Sequence, residues 1–425
     1  MSAIAAPYGL SAGVSPQAAN ARLIGLISTG AVALGVFLSG FVVREPAPYE
    51  LYMVALIGVW ALFGLRISQG VYPLLALLVI FNIGGMISIT QMAAIKDTPM
   101  YIAVSLFLAF TAVFYAAVVS ARPSLYPVMF KAWVAAAVST AIVGVLGYFH
   151  AFPGAEIFTK YDRAAGAFQD PNVFGPFLTL PGLYLLHQML TARLSRMPLY
   201  AVPLLIIVFG IFLSFSRGAW ALFAGTAVFL TLMLMVQNRS GAFRIRIIVM
   251  SMIAVALMAA ALLIALQIPS IADIFTTRAK LVQDYDGARL GRFARHAIGF
   301  LMAMEHPLGI GPLEFGLKLG EDTHNVWLKA LLDYGWLGFA AWLTMIVWTL
   351  SAGFKLIFRP SPWQPYILCA WVALTGHVAL GWIIDTDHWR HFYLLLGLVW
   401  GAIALDRRAR IEAFASRMTA RAAAA

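Results

Sequence analysis

Charge is what this sequence has least of. Only 11% of its residues are Asp, Glu, Lys or Arg, against about 25% in a soluble domain. A surface so poor in charge would aggregate in water, which excludes a soluble globular protein. Cysteine is almost missing too. Cys369 stands alone in an apolar stretch, so an intramolecular disulfide and a CxxC metal site are both excluded. There is no internal repeat, and no low-complexity segment beyond the Ala-rich tail. The first twenty residues carry no Lys or Arg before Arg22, and so lack the charged region and short apolar core of a signal peptide.

What is present is hydrocarbon: 62% of the chain is hydrophobic. A helix needs about 20 apolar residues to cross a ~30 Å membrane core. Runs of that size predict an all-α polytopic membrane protein with about twelve transmembrane helices. They fall near 21–43, 51–68, 71–90, 99–120, 128–149, 172–190, 199–215, 218–236, 247–268, 328–352, 363–384 and 390–405. The runs do not alternate apolar with polar, as the strands of a membrane barrel would. The whole chain, 1–425, reads as one transmembrane helical domain. A long loop, 269–327, is inserted between spans 9 and 10 and is large enough for a small subdomain with short helices.

Orientation follows from the basic residues of the short loops. With the N-terminus inside, the inner segments hold Arg22, Arg66, Arg122, Lys131, Arg193, Arg196 and Arg239. They also hold Arg244, Arg246, Lys355, Arg359 and the basic tail, against only Asp406 and Glu412. Both termini are therefore placed inside, and the loops at 150–171 and 269–327 outside. The net charge of +11 reflects this loop bias and contact with anionic membrane lipids rather than nucleic acid.

Four stretches on the outer side can carry chemistry. In the first, Arg163 precedes Gly166 and the turn Asp170-Pro171-Asn172. Its plainer reading is a solvated arginine beside a helix cap. In the second, Ser214-Phe215-Ser216-Arg217-Gly218 interrupts an otherwise apolar stretch, and Arg217 is the only charge between Arg196 and Arg239. A snorkelling flank residue is one reading. A functional ion at a membrane turn is the other.

In the third stretch, Arg289, Arg292 and Arg295 share one face if this segment is helical. Guanidinium groups clustered in this way suit either a phosphate or a lipid surface. The fourth begins with Glu305-His306-Pro307-Leu308-Gly309-Ile310-Gly311 and ends with Glu321-Asp322-Thr323-His324-Asn325, just before a span. His324 is either a packed or capping residue, or a base oriented by one of the two upstream carboxylates. Asp284-Tyr285-Asp286 is read as loop charge rather than as a metal site.

Together these stretches resemble the bacterial O-antigen ligase and polysaccharide polymerase superfamily. His324-Asn325-x-x-Leu328, followed after six residues by Gly335, is similar to its His-Asn/Ser-x-x-Leu-x6-Gly motif. Gly291-Arg292, His306-Pro307-x-x-Gly-x-Gly, Ser214-x-Ser216-Arg217-Gly218 and Arg163-x-x-Gly166…Pro171-Asn172 resemble its other segments, in order, over about 160–340. Arg295-His296 departs from the pattern, where an aromatic residue is more usual.

The resemblance implies a bacterial inner-membrane enzyme with a periplasmic active site. Its donor would be a glycan on a polyprenyl (undecaprenyl) pyrophosphate carrier. Its acceptor would be a lipid A-core sugar, or a growing glycan chain in a polymerase. It implies an inverting transfer that uses no metal and no cofactor. It assigns Arg217 and Arg292, and more weakly Arg163, to the pyrophosphate and His324 to the acceptor as base. Asn325, Gly291, Ser214 and Ser216 would support them. Polymerases of O-antigen or exopolysaccharide share these motifs. A polysaccharide or lipid transporter is the reading from another class, although the expected inverted repeats and midplane charges are missing.

Overall fold

The computed structural model describes residues 16–64, 66–95, 98–278 and 291–424. Among these, nine helices are long and apolar enough to cross a membrane, and Pro48–Leu62 and Gln364–Leu380 are shorter apolar helices. The first ten helices are α1 (Pro16–Leu38), α2 (Pro48–Leu62), α3 (Tyr72–Ile89), α4 (Thr98–Ala121), α5 (Leu125–Tyr148), α6 (Pro171–Phe177), α7 (Thr179–Thr191), α8 (Met197–Leu213), α9 (Arg217–Gln237) and α10 (Gly241–Ala265). After them come α11 (Pro269–Arg278), α12 (Arg292–Glu305), α13 (Glu314–Leu319), α14 (Val326–Ile357), α15 (Gln364–Leu380) and α16 (Arg390–Ala424). The only strands among the described residues form a two-residue hairpin, Thr159–Lys160 with Arg163–Ala164.

Among the described residues, nine helices of membrane-crossing length stand against about twelve expected spans, with 51–68 and 363–384 represented by the two shorter helices. Two further features differ. The run at 172–190 breaks at Leu178 into α6 and α7, with Pro176 inside α6. Proline removes one backbone donor and crowds the preceding turn. The helix of the last span runs on beyond 405, with α16 continuing to Ala424. Of the charged residues in the long loop, Arg289 and Asp284-Tyr285-Asp286 lie outside the described residues.

Small residues set how closely the helices pack. On α16, Gly397 and Gly401 sit four apart and face α4. A Cβ on Gly397 would lie 2.8 Å from the Ala112 carbonyl oxygen, and one on Gly401 2.9 Å from Val119. Such small-residue pairs let membrane helices approach to backbone contact, where dispersion replaces a hydrophobic driving force. On α3, Gly84 and Gly85 admit Tyr334 of α14, whose ring stacks on Phe81 with centroids 3.8 Å apart.

α14 is two helical segments joined at Gly335, where φ is +64° and ψ is −177°. That region is essentially glycine-only. The loop Pro307–Ile310 fits into the break. The Trp336 amide donates to the Pro307 carbonyl at 2.9 Å, and the Ile310 amide to the Leu332 carbonyl at 2.8 Å. A Cβ at Gly335 would meet the Leu308 carbonyl carbon at 2.8 Å. Gly309 and Gly311 both have positive φ, and the Gly311 amide donates to Ser88 Oγ at 2.8 Å. The glycines of the His306–Gly311 stretch and Gly335 thus serve one backbone joint. Next to it, Ala303, Ile310 and Phe315 pack on Leu328, Leu331 and Leu332 in a small cluster. Of the aromatic residues of the 269–327 loop that could pack, Phe315 is buried and Trp327 half-buried, whereas Phe293 and Phe300 are exposed.

Candidate functional site

Three helix N-termini carry the candidate residues. Arg217 is the first residue of α9, and Ser216 caps that helix by accepting from the Ala219 amide at 3.3 Å. Ser214 Oγ in turn bonds the Ile211 carbonyl at 2.6 Å, and Trp220 Nε1 donates to the Ile211 carbonyl at 3.0 Å. The two serines therefore close one helix and open the next. Phe215 between them is held at φ +45°.

Arg292 is the first residue of α12, with Gly291 as its N-cap. Arg295 lies in the same helix, so a helix here is observed, and its guanidinium pairs with Glu321 at 2.5 Å. His324 immediately precedes Asn325, the N-cap of α14. Asn325 Oδ1 accepts from the Trp327 and Leu328 amides at 3.0 and 3.2 Å, and its Nδ2 donates to the Trp382 carbonyl at 3.2 Å. Helix N-termini present unpaired amides and a partial positive charge, which favours anions.

The end of α15 connects two of these points. Gly218 sits against Leu380, and the next residue, Gly381, accepts from the Val326 amide at 2.8 Å. Trp382 then packs on Trp327 with ring centroids 5.6 Å apart. The Arg217 turn and the His324 turn are thus neighbours across one helix end.

Arg163 is buried and joins the same platform. Its Nε donates to the Ser214 carbonyl at 2.7 Å and one Nη to Asn172 Oδ1 at 2.9 Å. These bonds tie the 150–171 loop to the turn that carries Arg217.

His324 occupies a left-handed backbone position, φ +50°. For a residue other than glycine this is uncommon, and it costs on the order of 1–3 kcal/mol that surrounding bonds must offset. Its ring Nδ1 faces Asp385 Oδ2 at 3.7 Å. That is electrostatic contact rather than a hydrogen bond. Burial lowers the imidazole pKa from its ordinary value. Arg292 and Arg295 push in the same direction, against Asp322 and Glu321.

The upstream carboxylates do not orient the ring. Glu321 pairs with Arg295, and Asp322 accepts from Lys329 at 2.5 Å. Lys329 also stands 3.8 Å from Asp385. Behind it, Asp387 accepts from the Tyr101 hydroxyl at 2.7 Å and meets His388 Nδ1 at 2.8 Å. Burial raises the Asp385 carboxyl above its usual range, with Lys329 pulling the other way. Burial would raise Asp387 as well, but Lys329 and His388 outweigh it and hold that carboxyl low.

This group is not apparent from the sequence. Its signals were a lysine one turn into an apolar helix, and two aspartates just before the last span. The other histidines of the loop are engaged with backbone: His296 Nε2 with the Thr323 carbonyl and His306 Nδ1 with the Met302 carbonyl, both at 2.9 Å.

Residues 202–343 match the family model of the O-antigen ligase. The chain is O-antigen ligase-like over this segment. The match runs from within α8 into α14, so it includes Arg217, Arg292 and His324. Arg163, Asp385 and Asp387 lie outside it. With the apolar helices, it supports a multi-pass membrane protein of the O-antigen ligase and polymerase type. No curated protein matches the chain.

Proposed function

We propose that this chain transfers a glycan from a polyprenyl pyrophosphate carrier to a sugar hydroxyl of lipid A-core, with inversion and without a metal, on the periplasmic face of the inner membrane. The observation that carries the reading is the surroundings of His324. A half-buried imidazole faces a carboxylate at 3.7 Å and feels the charge of Arg292.

His324 takes the proton of the acceptor hydroxyl, which is a poor nucleophile on its own. Oxygen attacks the anomeric carbon, and the bond to the pyrophosphate breaks with its electron pair. The leaving group is already acidic, so it needs charge stabilisation more than a proton. Arg217 and Arg292, each at a helix start, supply preorganised donors for it. Asp385 stabilises the imidazolium formed as the hydroxyl is deprotonated. Arg163 braces the Arg217 turn through Ser214 rather than acting as a main phosphate ligand. Residues 269–327 form a periplasmic subdomain that presents Arg292 and His324 to the donor. Polymerisation, with a growing glycan as acceptor, would use the same chemistry.

The test is purified protein with donor and acceptor, following product and bound donor separately, with and without a chelator. His324→Ala should lose about 10²–10⁴-fold in rate while still binding donor. A wild-type rate in that variant, or no covalent product from the wild type, overturns the reading.

A further inference from the structure

A cleft of about 540 Å³ opens at the end of the bundle away from His324. Its floor and walls are apolar: Pro73 at the start of α3, Trp348 and Ala352 on α14, Trp400 and Ile403 on α16. Trp348 and Trp400 meet there with ring centroids 5.6 Å apart. Its mouth is cationic, formed by Arg407 and Arg410. The rim continues as Ile411 and Phe414, 55% and 67% exposed, on the part of α16 that runs past the apolar span.

The charges around the mouth do not cancel. Asp406 is held by Arg359 and by Arg410, the latter at 2.9 Å. Glu412 faces Arg408 at 3.9 Å. Among the described residues, Arg407 donates only to a neutral acceptor, the Gln69 carbonyl, at 3.1 Å. Four arginines thus meet two carboxylates, leaving two positive charges in excess to attract an anion.

We propose that this cleft binds one anionic phospholipid of the leaflet opposite the His324 site, with its phosphate at Arg407 and Arg410 and an acyl chain on the Trp348–Trp400 floor. Charge complementarity supports the headgroup, since a basic residue near a membrane surface contributes about 1 kcal/mol toward anionic lipid. The apolar floor supports the chain, because a soluble anion would have no use for it. The exposed Ile411 and Phe414 continue that surface toward the headgroup level, as in helices that lie at an interface. The assignment does not depend on the proposed transfer reaction.

The test is native mass spectrometry of the full chain in detergent, titrated with phosphatidylglycerol and, separately, with phosphatidylethanolamine. Phosphatidylglycerol should be retained at least tenfold more tightly. Arg407→Gln and Arg410→Gln should each weaken it about fivefold. Ala352→Phe, which fills the floor and leaves the charges intact, should also weaken it. Glycerol phosphate in excess should not displace the lipid. Equal retention of the two lipids overturns the proposal. So does unchanged phosphatidylglycerol binding in either the arginine variants or Ala352→Phe, or displacement by glycerol phosphate. Melting temperatures equal to wild type identify the variants that report on binding rather than folding.

Discussion

Asp385 Oδ2 stands between an imidazole and an ammonium group, 3.7 Å from His324 Nδ1 and 3.8 Å from Lys329 Nζ. Lys329 favours the ionised carboxylate, and the carboxylate favours a protonated imidazole. Asp385→Asn keeps the shape and removes the charge. It should slow transfer by about 10²-fold or more, because the imidazolium formed during proton removal loses its counter-charge. Donor binding should stay near wild type. A rate within a few fold of wild type in the product assay would show that His324 works without this partner.

The pH dependence has a definite sign. Burial and the nearby arginines lower the His324 pKa, so the neutral base persists to pH values below the ordinary histidine midpoint of about 6.5. The His324 limb should be centred below 6.5. Ionisation of Asp385, whose carboxyl burial raises above its usual range, should add to the rise in the same direction before the rate levels off. Arg292→Ala removes a neighbouring positive charge, which favours the imidazolium. Its limb should move to higher pH, besides its weaker donor binding. A pH–rate profile on both proteins checks the direction.

Arg217 tests whether geometry or charge matters at the donor. A guanidinium can hold two phosphate oxygens at once, whereas an ammonium is a point charge. Arg217→Lys should therefore fail nearly as badly as Arg217→Ala in the transfer assay. Near-normal turnover with lysine would make Arg217 a simple counter-charge.

Gly335 should tolerate no side chain. Gly335→Ala places a Cβ 2.8 Å from the Leu308 carbonyl carbon, in a backbone region that alanine avoids. It should destabilise the protein by at least about 1–3 kcal/mol. Thermal unfolding in detergent measures it, and an unchanged midpoint would show that the joint relaxes at no cost.

The spans were legible because crossing hydrocarbon demands a local signal, a continuous apolar run. Arg217 was legible for the opposite reason, as a lone charge where none is expected. The N-caps Ser216 and Asn325 also stood beside their helices in sequence. The partners of His324 were not legible, because they are tertiary. Tyr101 and Asp387 are 286 positions apart, yet their side chains bond at 2.7 Å. The carboxylates nearest to His324 in sequence are occupied by Arg295 and Lys329, so proximity along the chain pointed to the wrong acids. The common purpose of Gly309, Gly311 and Gly335 is likewise tertiary, since it rests on the Pro307–Ile310 loop fitting into the break in α14.

That break makes α14 two levers rather than one rod. The upper lever, Val326–Tyr334, is gripped by the Pro307–Ile310 loop and carries Lys329 beside the His324 turn. The lower lever lies along the bundle, with Gly353 against Trp371 and Thr349 accepting from Trp400 Nε1 at 2.8 Å. The Pro307–Ile310 loop bonds both levers, Leu332 through the Ile310 amide and Trp336 through the Pro307 carbonyl, so it sets the angle between them and with it the direction in which the His324 end of the helix is presented.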